Sequence, residues 1–125
     1  MTSLIEFEAW RIKPGVPEDS HDEIIRRWFA FVAEHRDELF PEWKSTRYYR
    51  ELDRETGQPS GRYIMLFEYE SPEARARYKE RRKNWDGPYE AYKAVDPYQE
   101  HFDLESVEEE FWEPREAQLW HDFSS

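Results

Sequence analysis

A strand, helix, strand succession occurs twice in this chain, and few folds accommodate it. Leu4 to Lys13 reads as a strand, Ser20 to Phe40 as an amphipathic helix, and Trp43 to Leu52 as a second strand. Arg62 to Tyr69 then reads as a strand and Ser71 to about Tyr92 as a helical stretch, with a last strand within Val107 to Phe123. The halves share element order but no residue identity. The order predicts an α+β sandwich, with helices on one face of a sheet. Its other face then needs a cover.

Turn chemistry sets the boundaries. Pro14-Gly15 stops the first strand, because proline lacks the donor and glycine accepts turn geometry. Ser20-His21-Asp22-Glu23 has capping-box spacing at the head of the first helix, which places His21 in the cap. Ile25, Trp28, Phe29, Val32 and Leu39 form its buried stripe, and Pro41 ends it. Asp53 to Gly61 is a hairpin loop. Ser71-Pro72-Glu73 starts the second helix as cap, first-turn proline and acid. Ala74, Tyr78 and Trp85 supply its buried side. Asp86-Gly87-Pro88 breaks the pattern ahead of a short helix from Tyr89 to Ala94, and Tyr98 to Ser106 reads as irregular. The second strand is polar enough for a sheet edge, whereas the third is apolar on both sides and reads as central.

With 125 residues the chain supports one domain, residues 1–125, in which residues 97–125 form an extended C-terminal segment holding the last strand. Twenty-nine acidic residues against 18 Lys and Arg leave a formal charge of −11, which disfavours nucleic acid and anionic membrane as partners. The basic run Arg75, Arg77, Lys79, Arg81, Arg82 and Lys83 fits an anion-binding helix less well than a solvated face that offsets acidic neighbours. Cysteine is absent, so no disulfide, thiolate nucleophile or Cys-zinc site exists. With no signal-peptide core and no membrane-length apolar segment in the sequence, a cytoplasmic location is the expectation. Mean hydropathy is −1.14, yet aromatics reach 18%, with six Trp, eight Tyr and eight Phe. Large flat residues therefore build the core and line a cleft or subunit contact.

Alternation divides the central strands into two sets. Ile5, Phe7, Ala9, Ile64 and Leu66 form the more aliphatic one, which is expected under the helices. Glu6, Glu8, Trp10, Tyr63, Met65, Phe67 and Tyr69 then look the other way, toward the missing cover. Carboxylates beside rings on an inward face are costly unless paired, and desolvation raises their pKa into the range of acid-base work. The alternative is that Glu6 and Glu8 pair with Arg47, Arg50 or Arg62.

Two stretches carry a resemblance: Arg11-Ile12-Lys13-Pro14-Gly15, closing the first strand, and Phe67-Glu68-Tyr69-Glu70-Ser71 running into Pro72-Glu73-Ala74. They resemble the dimeric α-β barrel superfamily, whose members include antibiotic-biosynthesis monooxygenase-like, NIPSNAP-like and EthD-like proteins. The resemblance spans roughly Leu4 to Ala94. It implies a ferredoxin-like βαββαβ fold, a homodimer whose sheets meet face to face in a barrel, and a pocket in each subunit between its sheet and its helices or loops. Haem-degrading members carry an Asn late in the first strand, a Trp near the end of the third and a helical His. Here Glu8 and Tyr69 hold the first two places, and Tyr92 or Lys93 lies near the third, so haem degradation is not implied.

The expectation is a small-molecule enzyme of the cofactor-independent monooxygenase-like or isomerase-like kind, acting on a flat hydrophobic or aromatic substrate. Glu8 serves as acid or base and Tyr69 as its hydrogen-bonding partner. Glu6, Trp10, Tyr63, Met65 and Phe67 bind substrate. No metal or cofactor is expected, since the only Glu-x-x-His spacing, Glu18 to His21, straddles the start of a helix. His101 and His121 fall in the tail, where either can fold over the pocket mouth. Trp28, Trp43, Trp85, Trp112 and Trp120 read as core or dimer contacts rather than ligand platforms. The rival reading is a non-catalytic homodimer that binds a ligand or serves in stress response.

Overall fold

A computed structural model describes residues 3–84 and 88–124. Trp85, expected on the buried side of the second-half helix, lies outside the described residues. The elements run β1 (Leu4–Ile12), α1 (Glu18–Glu34), α2 (Arg36–Leu39), β2 (Trp43–Leu52), β3 (Pro59–Tyr69), α3 (Pro72–Arg82), α4 (Pro88–Lys93), α5 (Tyr98–His101) and β4 (Phe102–Trp112), with a 3-10 turn at Ala117–Leu119. The sheet order is β2-β3-β1-β4, and every neighbouring pair is antiparallel. This is the ferredoxin-like α+β arrangement, with β3 central and β2 at an edge as their compositions suggested. No helix among the described residues is long and apolar enough to cross a membrane.

The orientation of the sheet reverses the expectation. Register sets Glu6 opposite Phe67, Glu8 opposite Met65 and Trp10 opposite Tyr63, so these side chains share one face. That face lies under the helices: Trp10, Tyr63, Met65 and Tyr69 form one buried cluster with Ile25, Trp28 and Val32 of α1 and Tyr78 of α3. Ile5, Phe7, Ile64 and Leu66 look outward instead. The edge strands explain the reversal. Trp43 and Tyr48 from β2 and Phe102 from β4 join the ring-rich face, whereas Arg47, Glu51, Glu108 and Glu110 pair onto the outer one. Judged from β1 and β3 alone the two faces are nearly equal in apolar content, but across four strands the ring-rich face buries far more area.

Local chemistry accounts for the element ends. The cap of α3 forms as read, with Ser71 Oγ accepting from Ala74 N at 3.0 Å. The capping box at Ser20 does not form. Pro17, extended at φ −67° and ψ 148°, precedes the first helical residue, and Glu18 and Asp19 occupy the first turn. His21 therefore sits inside the helix. It is fully buried, and its Nε2 accepts from Trp10 Nε1 at 3.1 Å. Strand β4 begins at Phe102, before the expected start, and α5 fills part of the stretch read as irregular. The ring of Phe102 stacks on Trp10 at 4.0 Å, an apolar anchor hidden among acids in the sequence. Ala9 faces Glu108 while Arg11 faces Asp103, so β4 bulges between them. Ser106 Oγ accepts from the Arg11 N–H at 2.7 Å, restoring a partner that the bulge removed.

Burial of His21 couples the fold to pH. Desolvation, with His101 nearby, lowers its pKa from 6.5 to about 4. The unfolded chain therefore takes up the proton first, and stability falls as pH drops from about 6.5 to about 4, by roughly 3 kcal/mol. Glu8, considered below, contributes with the opposite sign over this range, so the readout is the difference in urea midpoint between the wild type and His21→Gln, which keeps an acceptor for Trp10; the wild type should lose that much stability relative to the variant as pH falls through the window.

Candidate functional site

Helices laid over the ring-rich face leave a cavity of about 750 Å³ between sheet and helical layer. Glu6, Glu8 and Trp10 of β1 and Met65, Phe67 and Tyr69 of β3 line it from the sheet side. Trp28 of α1, Arg75, Tyr78 and Lys79 of α3, Tyr92 of α4, Ala94 and the segment 96–101 line it from the helical side. Six of the seven residues read as site residues thus converge on one cavity, but within the subunit and not in a chamber completed by a second copy. Tyr63 is the exception and does not line the cavity. Its ring stacks on Tyr48 at 5.9 Å and its hydroxyl donates to Glu18; burial and that carboxylate push it up to about 12.

The two glutamates of β1 lie in different surroundings. Glu6 accepts from Arg75 Nε at 3.1 Å and from the Tyr69 hydroxyl at 3.3 Å. Its partner is thus Arg75 on α3, and the arginines named from the sequence have other duties. Arg62 pairs with Glu51 and Glu108, Arg50 with Glu18, and Arg47 makes no ion pair among the described residues. Burial and the Glu6 carboxylate raise the pKa of Tyr69, so it stays a protonated donor. Glu8 receives no hydrogen bond or ion pair among the described residues. Its cross-strand neighbour on β4 is another acid, Glu109. Desolvation comes first, followed by the charges of Glu109, Glu6 and Asp96, and against Arg82 these push Glu8 up to about 7. A carboxyl poised there both gives and takes a proton near neutrality.

The cavity also holds residues the sequence reading left out. Arg75, Lys79 and Arg82 recur at helical spacing and face the cavity, although the basic run reads as a solvated surface. That reading holds for Lys83, which pairs with Glu80, and Arg81 pairs with the buried Glu42. Burial and the neighbouring Arg82 and Arg75 lower the pKa of Lys79. Glu109 was illegible because its register depends on where β4 begins. His101 does reach the cavity wall, whereas His121 lies in the exposed tail against Phe123. Trp28 and Trp43 are core residues and cavity walls at once.

The sequence matches no known protein-family model and no curated protein sequence. Solved structures do match. The protein At3g17210 from Arabidopsis thaliana superposes with a TM-score of 0.60 at 17% identity, over 90% of this chain and 96% of that one. A hydroxynitrile lyase from Passiflora edulis gives a TM-score of 0.59 at 11% identity, over 91% and 94%. A dimeric ferredoxin-like protein of unknown function from Bacteroides fragilis gives 0.55 at 7% identity, over 89% and 95%. At these identities the likeness establishes the fold alone, the ferredoxin-like one.

The Glu8 arrangement has a direct readout. Carboxyl-carbon NMR should show one glutamate titrating near pH 7, and Glu109→Gln should move that midpoint down. Because the folded pKa lies above the unfolded one, the protonated form is favoured in the fold. Stability is then lost as pH rises from about 4.5 through 7, by at most about 3 kcal/mol. Chemical denaturation should show the wild type losing that much stability relative to Glu8→Gln across the window, a difference from which the opposite contribution of His21 cancels.

Proposed function

We propose that the protein is a cofactor-independent enzyme that moves a proton on a small, flat, aromatic or hydrophobic substrate held between its sheet and its helices. The observation that carries this reading is Glu8: a carboxyl with no ion pair or hydrogen bond among the described residues, raised to about 7 and facing a cavity of about 750 Å³ walled by Trp28, Phe67 and Tyr78. Volume and rings suit a planar ligand, which buries area against aromatic faces. Glu8 takes the proton from a carbon or hydroxyl group as its own carboxylate becomes the acid. Tyr69, held protonated, turns its single O–H from Glu6, which keeps Arg75, to the oxygen on which negative charge collects. Oxygenation of an activated ring, isomerisation and cleavage of a hydroxynitrile all begin with such a deprotonation, so the monooxygenase-like and isomerase-like readings share this step. The similarity in fold to a hydroxynitrile lyase supports proton-transfer chemistry in this architecture.

The working unit in this proposal is a homodimer, formed through the outer sheet face. Ile5, Phe7, Ile64 and Leu66 sit there, with Tyr49 and Trp112 each 43% exposed. The fold neighbour described as dimeric supports the same assembly.

A second reading, a non-catalytic ligand-binding dimer, rests on the closed pairing of Glu6 with Arg75 and Tyr69, which accounts for that acid without chemistry. The two part in one experiment. Aromatic ketones and aryl hydroxynitriles are incubated with the protein in D₂O, and NMR follows deuterium exchange and cleavage. Turnover should rise with pH about a midpoint near 7, Glu8→Gln should lower it at least about 100-fold, and Tyr69→Phe should lower kcat more than it raises KM. Binding of these probes with no exchange or cleavage by the wild type would leave only the ligand-binding reading.

A further inference from the structure

Helix α3 turns three cations toward the cavity, and two of them already have partners. Arg75 Nε donates to Glu6 at 3.1 Å, and its guanidinium carbon lies 4.7 Å from the centre of the Phe111 ring. Arg82 lies 3.8 Å from Asp96 and 5.5 Å from the centre of the Tyr92 ring. Lys79 stands between them, one turn from each, and makes no hydrogen bond or ion pair among the described residues. The other lysines of the chain are all engaged: Lys13 with the Gln99 carbonyl, Lys44 with Glu68, Lys83 with Glu80 and Lys93 with Glu90.

An ammonium in this place has its charge unmet. Burial leads the lowering of its pKa and the Arg82 and Arg75 charges add to it, while Glu6 and Glu109 act the other way without touching it. Glu6 is taken up by Arg75 and Tyr69, and Glu109 lies across the strand gap from Glu8. A negative group on a ligand completes the site and favours the charged amine that the protein alone disfavours. The charge that fits is single. Glu6, Glu109 and Asp96 border the same cavity, and a dianion such as a phosphate monoester meets their repulsion with twice the charge.

We propose that Lys79 holds the carboxylate of the ligand, so that the protein takes planar aromatic carboxylic acids, with the ring against Trp28, Phe67 and Tyr78. The inference rests on the planar-ligand reading of the cavity above and adds the ligand's charge to it.

The probes are 2-naphthoate, its uncharged amide and 2-naphthyl phosphate, titrated calorimetrically into full-length protein near pH 7 at low salt. The naphthoate should bind at least about tenfold more tightly than the amide and more tightly than the phosphate. Lys79→Met should remove that preference, leave the amide affinity in place and keep the circular dichroism spectrum, and Lys79→Arg should retain the preference. In NMR of carbon-labelled lysine, naphthoate but not the amide should raise the titration midpoint of Lys79. Equal affinity for acid and amide overturns the inference and leaves the planar-ligand reading standing. A preference that survives Lys79→Met puts the charge on another group and overturns it too. Tighter binding of the naphthyl phosphate overturns the carboxylate class. Binding of none of the probes overturns the inference and the planar-ligand reading together. A preference that depends on Lys79, with no deuterium exchange or cleavage in the D₂O experiment, supports this inference and ends the catalytic reading.

Discussion

The two-residue period of β1 binds its carboxylates to its rings. Glu6 and Glu8 alternate with Phe7 and Ala9 and so share a face with Trp10. Across the strand gap that face also holds Tyr63, Met65 and Tyr69, all less than 5% exposed. Helices that bury these side chains cannot avoid burying the acids between them. Full burial stabilises by about 2–3 kcal/mol for each such side chain, so four outweigh the roughly 3 kcal/mol that holding Glu8 ionised near neutrality costs. The fold accepts a destabilised carboxyl because the rings beside it are worth more.

The two acids resolve that cost differently. Glu6 lies within reach of α3, where Arg75 and Tyr69 satisfy it. Glu8 has no cation in that position and faces Glu109 across the strand, so it approaches neutrality by holding its proton. One face thus carries a structural carboxylate and a titrating carboxyl two residues apart. Their difference comes from what each faces, which is how environment assigns separate duties to like groups.

Aromatic rings build the core around the cavity beneath the helices. Rings meet at fixed angles and distances, as in Phe40 stacked on Trp43 at 4.6 Å and Trp28 tilted on Trp43 at 5.7 Å. The polar heads of Arg75, Lys79 and Arg82 reach into the remaining space from α3, so one wall is charged and another aromatic. An oriented planar ligand with a polar group fits those unlike walls.

Much was legible from residues alone, because it depends on local chemistry: the order of elements, the α3 cap at Ser71, the turn at Pro14-Gly15, the central place of β3 and the shared face of Glu6, Glu8, Trp10 and Tyr69. Periodicity states which side chains go together, but it is silent on which way they go. That choice fell to the edge strands, where Trp43, Tyr48 and Phe102 add to one side and Arg47, Glu108 and Glu110 to the other. Tertiary structure alone decided the pairing of Glu6 with Arg75, 69 residues away, the meeting of Glu8 with Glu109, and the burial of His21 against Trp10. These contacts are made across strands and layers, where register and packing set the distance between groups that the sequence keeps far apart.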